Sequence, residues 1–297
     1  HRIWWDEFGS GKQLEVLTFL DPHPVAIAPL MYDDTEEGRR VRFLGGDDLT
    51  DYLGPVVGDE GKLPGVADAL IAYMKEEAPD WDVFDAKCLP VPFRFAEWLV
   101  EAADRMNFRF TIDDSEVTAV LPLPATLDDY FEALPGKKRH ELRRKLRRFS
   151  EICPDAQIVT ATDETLTADV LSFVDLHKGS EGLKGKFFLP ERATFFARVA
   201  QEFQPLGLLS LDFIESAGKR VAATFSYRHM DTFYLYNSAY DPELRAAAPG
   251  LTLVSRLIER SIEQGFARFD FLRGSERYKF DMGAQRLPLH GVKLTRP

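Results

Sequence analysis

Residues 232–279 read TFYLYNSAY (232–240), DPELRAAAPG (241–250), LTLVSRLIERSIEQGFARFD (251–270) and FLRGSERYK (271–279), and the fold turns on this stretch. Thr232 to Ser238 is rich in aromatic residues and reads as a strand, ended by Asp241-Pro242. Leu251 to Gln264 has the apolar spacing of a helix. Pro249-Gly250 stands at its start and leaves backbone N–H groups to face an anion. Arg268 to Phe271 is a second strand, followed by a loop through Gly274 to Tyr278 and Lys279. Such a unit can hold a phosphate-bearing ligand beside a reactive group.

Working outward, Leu208 to Ile214 and Val221 to Arg228 are two strands joined by a turn at Ala217-Gly218. The first part of the chain has the same order. Leu14 to Phe19, Val25 to Tyr32 and Arg40 to Leu44 read as strands. Leu63 to Glu77 is a helix, Asp82 to Lys87 a strand and Phe93 to Ala103 a helix. Asn107 to Thr111 and Glu116 to Leu121 read as a hairpin about Asp113-Asp114. Two short echoes support an internal duplication. Pro24 to Ala28 parallels Arg220 to Thr224, and Phe84-Asp85 parallels Phe269-Asp270. The expected fold is α/β (α+β), with two tandem lobes, each a mixed central sheet flanked by helices. The expected boundaries are 1–124, a helical connector 125–155 and 156–297.

The connector opens with a helix start at Thr126, where a hydroxyl cap precedes Asp128 and Asp129. Pro135-Gly136 breaks that helix. A second helix follows, with Leu142, Leu146, Phe149 and Cys153 on one stripe. Residues 137–148 hold eight basic side chains and one acid, Glu141. The chain as a whole carries a net charge of −11. Without this segment there are 37 − 8 = 29 basic and 48 − 1 = 47 acidic residues, a net of −18. An acidic body argues against a general nucleic-acid binder. The basic helix is a solvated face or a site that meets an anionic substrate, a phosphate or another polyanion.

Cys88 and Cys153 fit two reduced, partly buried thiols, and no cysteine or histidine spacing signals a metal. No apolar run approaches the roughly 20 residues of a membrane span. The numbering opens at His1 on Ile3-Trp4-Trp5, so an upstream segment is expected. No secretory signal is visible, and a cytoplasmic location is expected. Nothing in the sequence specifies an oligomeric state.

The chain resembles the CelD-like acetyltransferases of the GNAT superfamily, a family often linked to cellulose or other exopolysaccharide biosynthesis. The features that carry the resemblance span nearly the whole chain in order. They are Trp5 to Gly9, Ala28-Pro29-Leu30, Phe43-Leu44-Gly45, Asp51-Tyr52, and Leu134 through Arg139, Leu142, Arg143 and Arg144. Then come Leu176-His177, Tyr240-Asp241, Pro249-Gly250, Asp270-Phe271, Gly274 and Tyr278-Lys279. The resemblance implies two GNAT-like lobes, similar to Fem-type peptidyltransferases, with acetyl-CoA bound between splayed central strands in the C-terminal lobe. The acceptor it implies is an amine or hydroxyl of a sugar or small metabolite. The chain departs from the usual glycine-rich phosphate motif, offering Arg245-Ala246-Ala247-Ala248-Pro249-Gly250 with one glycine. Two alternatives therefore stay open. One is a transferase that takes aminoacyl-tRNA, as Fem-type relatives do. The other is a degenerate, non-catalytic binding module.

On this reading Tyr278 protonates a leaving thiolate, and Glu276, Asp270 or His177 is the base. For Asp270, inside an apolar strand, a structural ion pair with a partner such as Arg273 is the favoured reading, and His177 is otherwise a helix cap. Tyr236, Asn237, Arg245, Pro249, Gly250, Leu251 and Lys279 are the expected cofactor contacts. Strand alternation places Tyr234 and Tyr236 on one face and Asn237 on the other. The loop Gly179 to Lys186 is a candidate lid, and its Glu181 or Lys184-Gly185-Lys186 a partner for His177.

Overall fold

The computed structural model describes residues 1–179 and 187–296. Glu181 and the Lys184-Gly185-Lys186 turn therefore lie outside the described residues. The chain divides into two compact units, residues 1–118 with 287–297, and residues 119–286. The 125–155 connector thus sits inside the second unit, and the C-terminal strand belongs to the first.

The first unit opens with α1 (Arg2–Phe8), β1 (Gln13–Leu20), β2 (Pro24–Thr35) and β3 (Gly38–Phe43). It continues through α2 (Gly46–Leu49), β4 (Val56–Val57), α3 (Leu63–Glu76), β5 (Val83–Pro90), α4 (Phe95–Arg105) and β6 (Arg109–Pro122). Strands β1, β2 and β3 are antiparallel, and β3 runs parallel to β5. Helices α3 and α4 pack against each other over a core of Leu70, Met74, Phe84, Leu99 and Leu294, all at most 1% exposed.

The hairpin expected about Asp113-Asp114 does not form, because β6 is one continuous strand. Asp-Asp lacks the glycine that lets a two-residue turn adopt positive φ. Instead the Asp114 carboxylate lies 3.1 Å from His290 Nδ1.

The second unit follows with α5 (Leu127–Ala133), α6 (Gly136–Ile152), β7 (Gln157–Thr160), α7 (Leu166–Lys178) and α8 (Pro190–Phe203). Then come β8 (Leu209–Ser216), β9 (Lys219–His229), β10 (Thr232–Tyr240), α9 (Pro249–Glu263), β11 (Arg268–Arg273) and α10 (Arg277–Asp281). The last strand, β12 (Gln285–Thr295), pairs antiparallel with β5 of the first unit from Leu289 onward. Strands β7 to β10 are antiparallel in sequence order, and β10 runs parallel to β11. The order β1-β2-β3-α3-β5-α4-β6 therefore returns as β8-β9-β10-α9-β11-α10-β12. Both echoes fall at matching places. Phe84 and Phe269 are each fully buried in the strand of a parallel pair.

Three side-chain devices lock the second unit. Thr126 caps α5 by accepting the Asp129 N–H at 3.1 Å, as its position predicts. Leu142, Phe149 and Cys153 seat α6 in the core with Leu253 and Leu257 of α9. The far end of α9 is held by Arg260, whose two Nη atoms donate to the fully buried Asp212 of β8 at 2.7 and 2.8 Å. Ser210 and Thr160 donate to the same carboxylate at 2.8 and 2.6 Å.

Replacing Asp212 by Ala leaves Arg260 facing a hole without its counter-charge. We expect a loss of about 3 kcal/mol in the stability of the second unit. Urea unfolding followed by hydrogen exchange in β8 and α9 measures it, and a loss under about 0.5 kcal/mol, the range of an ordinary surface change, would show that the pair holds nothing.

Candidate functional site

Strands β10 and β11 pair in parallel over three positions, Thr232↔Arg268, Phe233↔Phe269 and Tyr234↔Asp270, and no further. Asp270 explains where they part. Its Oδ1 accepts the Leu272 N–H at 2.7 Å, and Leu272 adopts φ +57. A left-handed leucine costs roughly 1–2 kcal/mol. A hydrogen bond to a charged acceptor contributes about 1.5–3 kcal/mol and offsets it.

β10 is irregular at the same level. Leu235 pairs with Ser226 and Asn237 with Phe225, so Tyr236 is the extra residue of a bulge. The expected alternation is thereby corrected. Tyr236 stacks on Phe196 of α8 with ring centroids 5.4 Å apart. Asn237 turns to the same side, where its Oδ1 lies 3.0 Å from His177 Nε2 on α7. Asn237 Oδ1 also accepts the Ser238 N–H at 2.8 Å, which fixes the amide orientation. His177 Nε2 therefore donates to Asn237 Oδ1.

The gap between the parted strands is a cavity of about 300 Å³. His177, Phe187, Leu235, Tyr236, Asn237 and Ser238 form one wall; Phe271, Arg273, Glu276, Tyr278 and Lys279 form the other. The structure thus brings together Tyr278, Glu276, His177, Tyr236, Asn237 and Lys279. His177 is only 2% exposed and stands among Phe173, Phe187 and Phe188.

Tyr278 is held as a neutral phenol. Burial, and then the negative charge of Glu276, push its ionisation well above the ordinary tyrosine range, against a smaller opposing effect of its hydrogen bond with Ser238. Lys279 is 3% exposed, and its Nζ donates to the Arg273 carbonyl at 2.7 Å and pairs with Glu276 Oε2 at 3.0 Å. Gly274 makes room for this pair. It has φ +118, and a Cβ there would run into the Glu276 carboxylate and come within 3.0 Å of Lys279 Nζ.

Asp270 does not line this cavity; its bond to Leu272 gives it the structural role. Arg245, Pro249, Gly250 and Leu251 also stand apart from it. Arg245 lies exposed in the 3₁₀ turn Pro242–Ala247. Pro249 begins α9, whose cap residue Ala248 makes no side-chain capping bond. A Cβ on Gly250 would lie 3.1 Å from the Tyr240 ring, so close packing of helix on strand is what calls for glycine there. Leu251 lines a second cavity, together with Tyr278 and side chains of α6. Sequence reading missed Phe187, Leu235, Ser238, Phe271 and Arg273. Pattern alone carries no signal for a bulge that turns neighbouring residues to one side.

The raised ionisation of Tyr278 has a measurable consequence, shared by Tyr130, which burial also shifts upward. The stability contributed by these neutral phenols is complete below the unfolded value, about pH 10, and is lost as pH rises past it. We expect tyrosinate absorbance of the folded chain to lag behind that of the unfolded chain above about pH 10. Coincident titrations would contradict the burial described here.

Residues 136–280 match the family model for an acetyltransferase (GNAT) domain. The sequence has no match among curated proteins. Among solved structures, FemX superposes with a TM-score of 0.67 at 11% identity, covering 98% of this chain and 90% of FemX. A conserved protein of unknown function from Bacteroides thetaiotaomicron VPI-5482 gives 0.62 at 15% identity, covering 99% of this chain and 88% of that one. The C-terminal domain of a putative lysylphosphatidylglycerol synthetase from Agrobacterium fabrum gives 0.61 at 14%, covering 95% and 83%. The chain therefore has a GNAT-type acyltransferase fold, and residues 136–280 are the part that matches the GNAT domain model.

Proposed function

We propose that the chain is an acyltransferase that moves an acyl group, acetyl in the simplest case, from a CoA thioester to an amine or hydroxyl of a small acceptor. The observation that supports it best is the parting of β10 and β11 after Tyr234↔Asp270, with Tyr278 and Glu276 on the cavity that results. An unpaired strand edge is where the amide-bearing arm of a CoA thioester can pair. Leu235 and Phe271 offer it apolar walls.

The chemistry then runs as follows for an amine. The acceptor ammonium is drawn to Glu276, the carboxylate on the cavity wall, and gives it a proton. The neutral nitrogen attacks the thioester carbonyl, a C–N bond forms, the C–S bond breaks, and the nitrogen, cationic once bonded to carbon, releases its second proton to water. The departing sulfur takes the phenolic proton of Tyr278, which solvent then restores. His177 acts through Asn237, holding it at the wall. Fixed placement of both substrates supplies much of the remaining rate.

The resemblance to the CelD-like family supports a sugar-like acceptor in polysaccharide or cell-envelope biosynthesis. A CoA donor would place the reaction in the cytoplasm. Aminoacyl-tRNA is the second reading of the donor, favoured by the eight basic residues at 137–148.

Tyr278→Phe removes the proton donor and keeps the ring. With a verified acceptor we expect kcat to fall about 10²- to 10⁴-fold, with acetyl-CoA affinity by calorimetry unchanged. Unchanged kcat would remove Tyr278 from the mechanism. A folded chain that binds no CoA ester, and binds tRNA in a strongly salt-dependent way, would replace the donor.

A further inference from the structure

The second cavity of the same unit, about 190 Å³, has Tyr278 in common with the first. Its floor is apolar, formed by Leu142, Leu251 and Met282 with the Tyr278 ring. Its rim carries four cations, Lys137, Lys138 and Lys145 of α6 and Arg277 of α10, against two carboxylates, Glu141 and Asp281. The carboxylates are already engaged. Glu141 pairs with Arg144 at 2.8 Å and Lys145 at 3.7 Å, and Asp281 with Lys138 at 3.5 Å and Arg277 at 3.4 Å. The cationic excess is left at Lys137. It stands in the first turn of α6, which holds no acid. Cations at that end of a helix oppose the macrodipole and cost stability. Four cations gather on a small apolar cavity, and two of them, Lys137 and Lys138, stand in the first turn of α6 against the preference of that helix, which marks a place where a local rule yields to a ligand.

We propose that this cavity holds the phosphate ester groups of the acyl donor, and that Lys137, Lys145 and Arg277 are the residues that recognise them. The inference rests on the acyl-transfer reading of the first cavity. Tyr278 joins the two. Its ring belongs to the wall on the α6 and α9 side, and its hydroxyl reaches Ser238 of β10. A donor with phosphates at α6 and its reactive end beyond Tyr278 meets the acceptor from the opposite side to α7. In this chain α6 thus takes over a task that the glycine-poor turn Arg245 to Gly250 is ill suited to perform.

The test is calorimetric titration of the full chain with acetyl-CoA, with acetyl-pantetheine, which lacks phosphate, and with inorganic pyrophosphate. The variants are Lys137→Glu with Lys145→Glu, and Arg147→Ala as a control on α6 outside the cavity. We expect the double variant to weaken acetyl-CoA and pyrophosphate at least tenfold, to leave acetyl-pantetheine unchanged, and to keep its melting temperature. The control should match the parent chain. Equal acetyl-CoA affinity in parent and double variant would overturn the inference while leaving the acyl-transfer reading intact. Loss of pyrophosphate and tRNA binding in the double variant, in a chain that binds no CoA ester, would keep the anion site and discard the CoA donor. A parent chain that binds none of the phosphate-bearing probes overturns it outright.

Discussion

One hydrogen bond, Asp270 Oδ1 to the Leu272 N–H at 2.7 Å, sets the geometry from which the rest of the site follows. It holds a leucine in the left-handed region at the point where β11 stops pairing with β10. Strain of this kind persists only where the surroundings fix it. Here the surroundings are a 5%-exposed carboxylate and the fully buried Phe269 one residue earlier. A regular parallel pair would have closed the gap with ladder hydrogen bonds. The parted pair leaves a cavity through the sheet with a phenol on its wall.

The walls of that gap are stiff for separate reasons. On one side, Tyr227, Tyr236, Phe196 and Phe225 form a connected aromatic cluster with ring centroids 5.0 to 6.3 Å apart. It fixes the bulge and, through Asn237, the ring of His177. On the other side, Gly274 lets the Glu276–Lys279 pair fold back on the Arg273 carbonyl. That pair gives Glu276 a defined place, and the Glu276 carboxylate adds to burial, the larger cause, in raising the ionisation of Tyr278. Under the proposed function, the resting fold already positions the phenol, the carboxylate and the backbone edge that acyl transfer would use.

Much of this fold was legible in the sequence. The strands, the Thr126 cap, the apolar stripe of α6 and the duplication all follow from periodicity and turn chemistry, because those signals are local. Tyr278 and Glu276 stood out by their place after the last central strand. Other features were not legible, for physical reasons. The Tyr236 bulge depends on how β9 and β10 register, which no single strand encodes. The hairpin expected at Asp113-Asp114 is absent because β6 runs straight through it, and neither aspartate supplies a positive-φ turn residue. Asp270 read as a candidate base, although its neighbour two residues on claims it. The basic helix read first as a solvated face, and only the structure sets three of its lysines around a cavity that Tyr278 also lines.

The central claim is that the gap between β10 and β11 is where acyl transfer occurs. A crystal structure with a non-reactive acetyl-CoA analogue tests it most directly. The account predicts the carrier arm paired to β10 beyond Tyr234, with the sulfur position within hydrogen-bond reach of the Tyr278 hydroxyl. An analogue bound elsewhere on the chain, with the gap closed by Leu235 and Phe271, would contradict it.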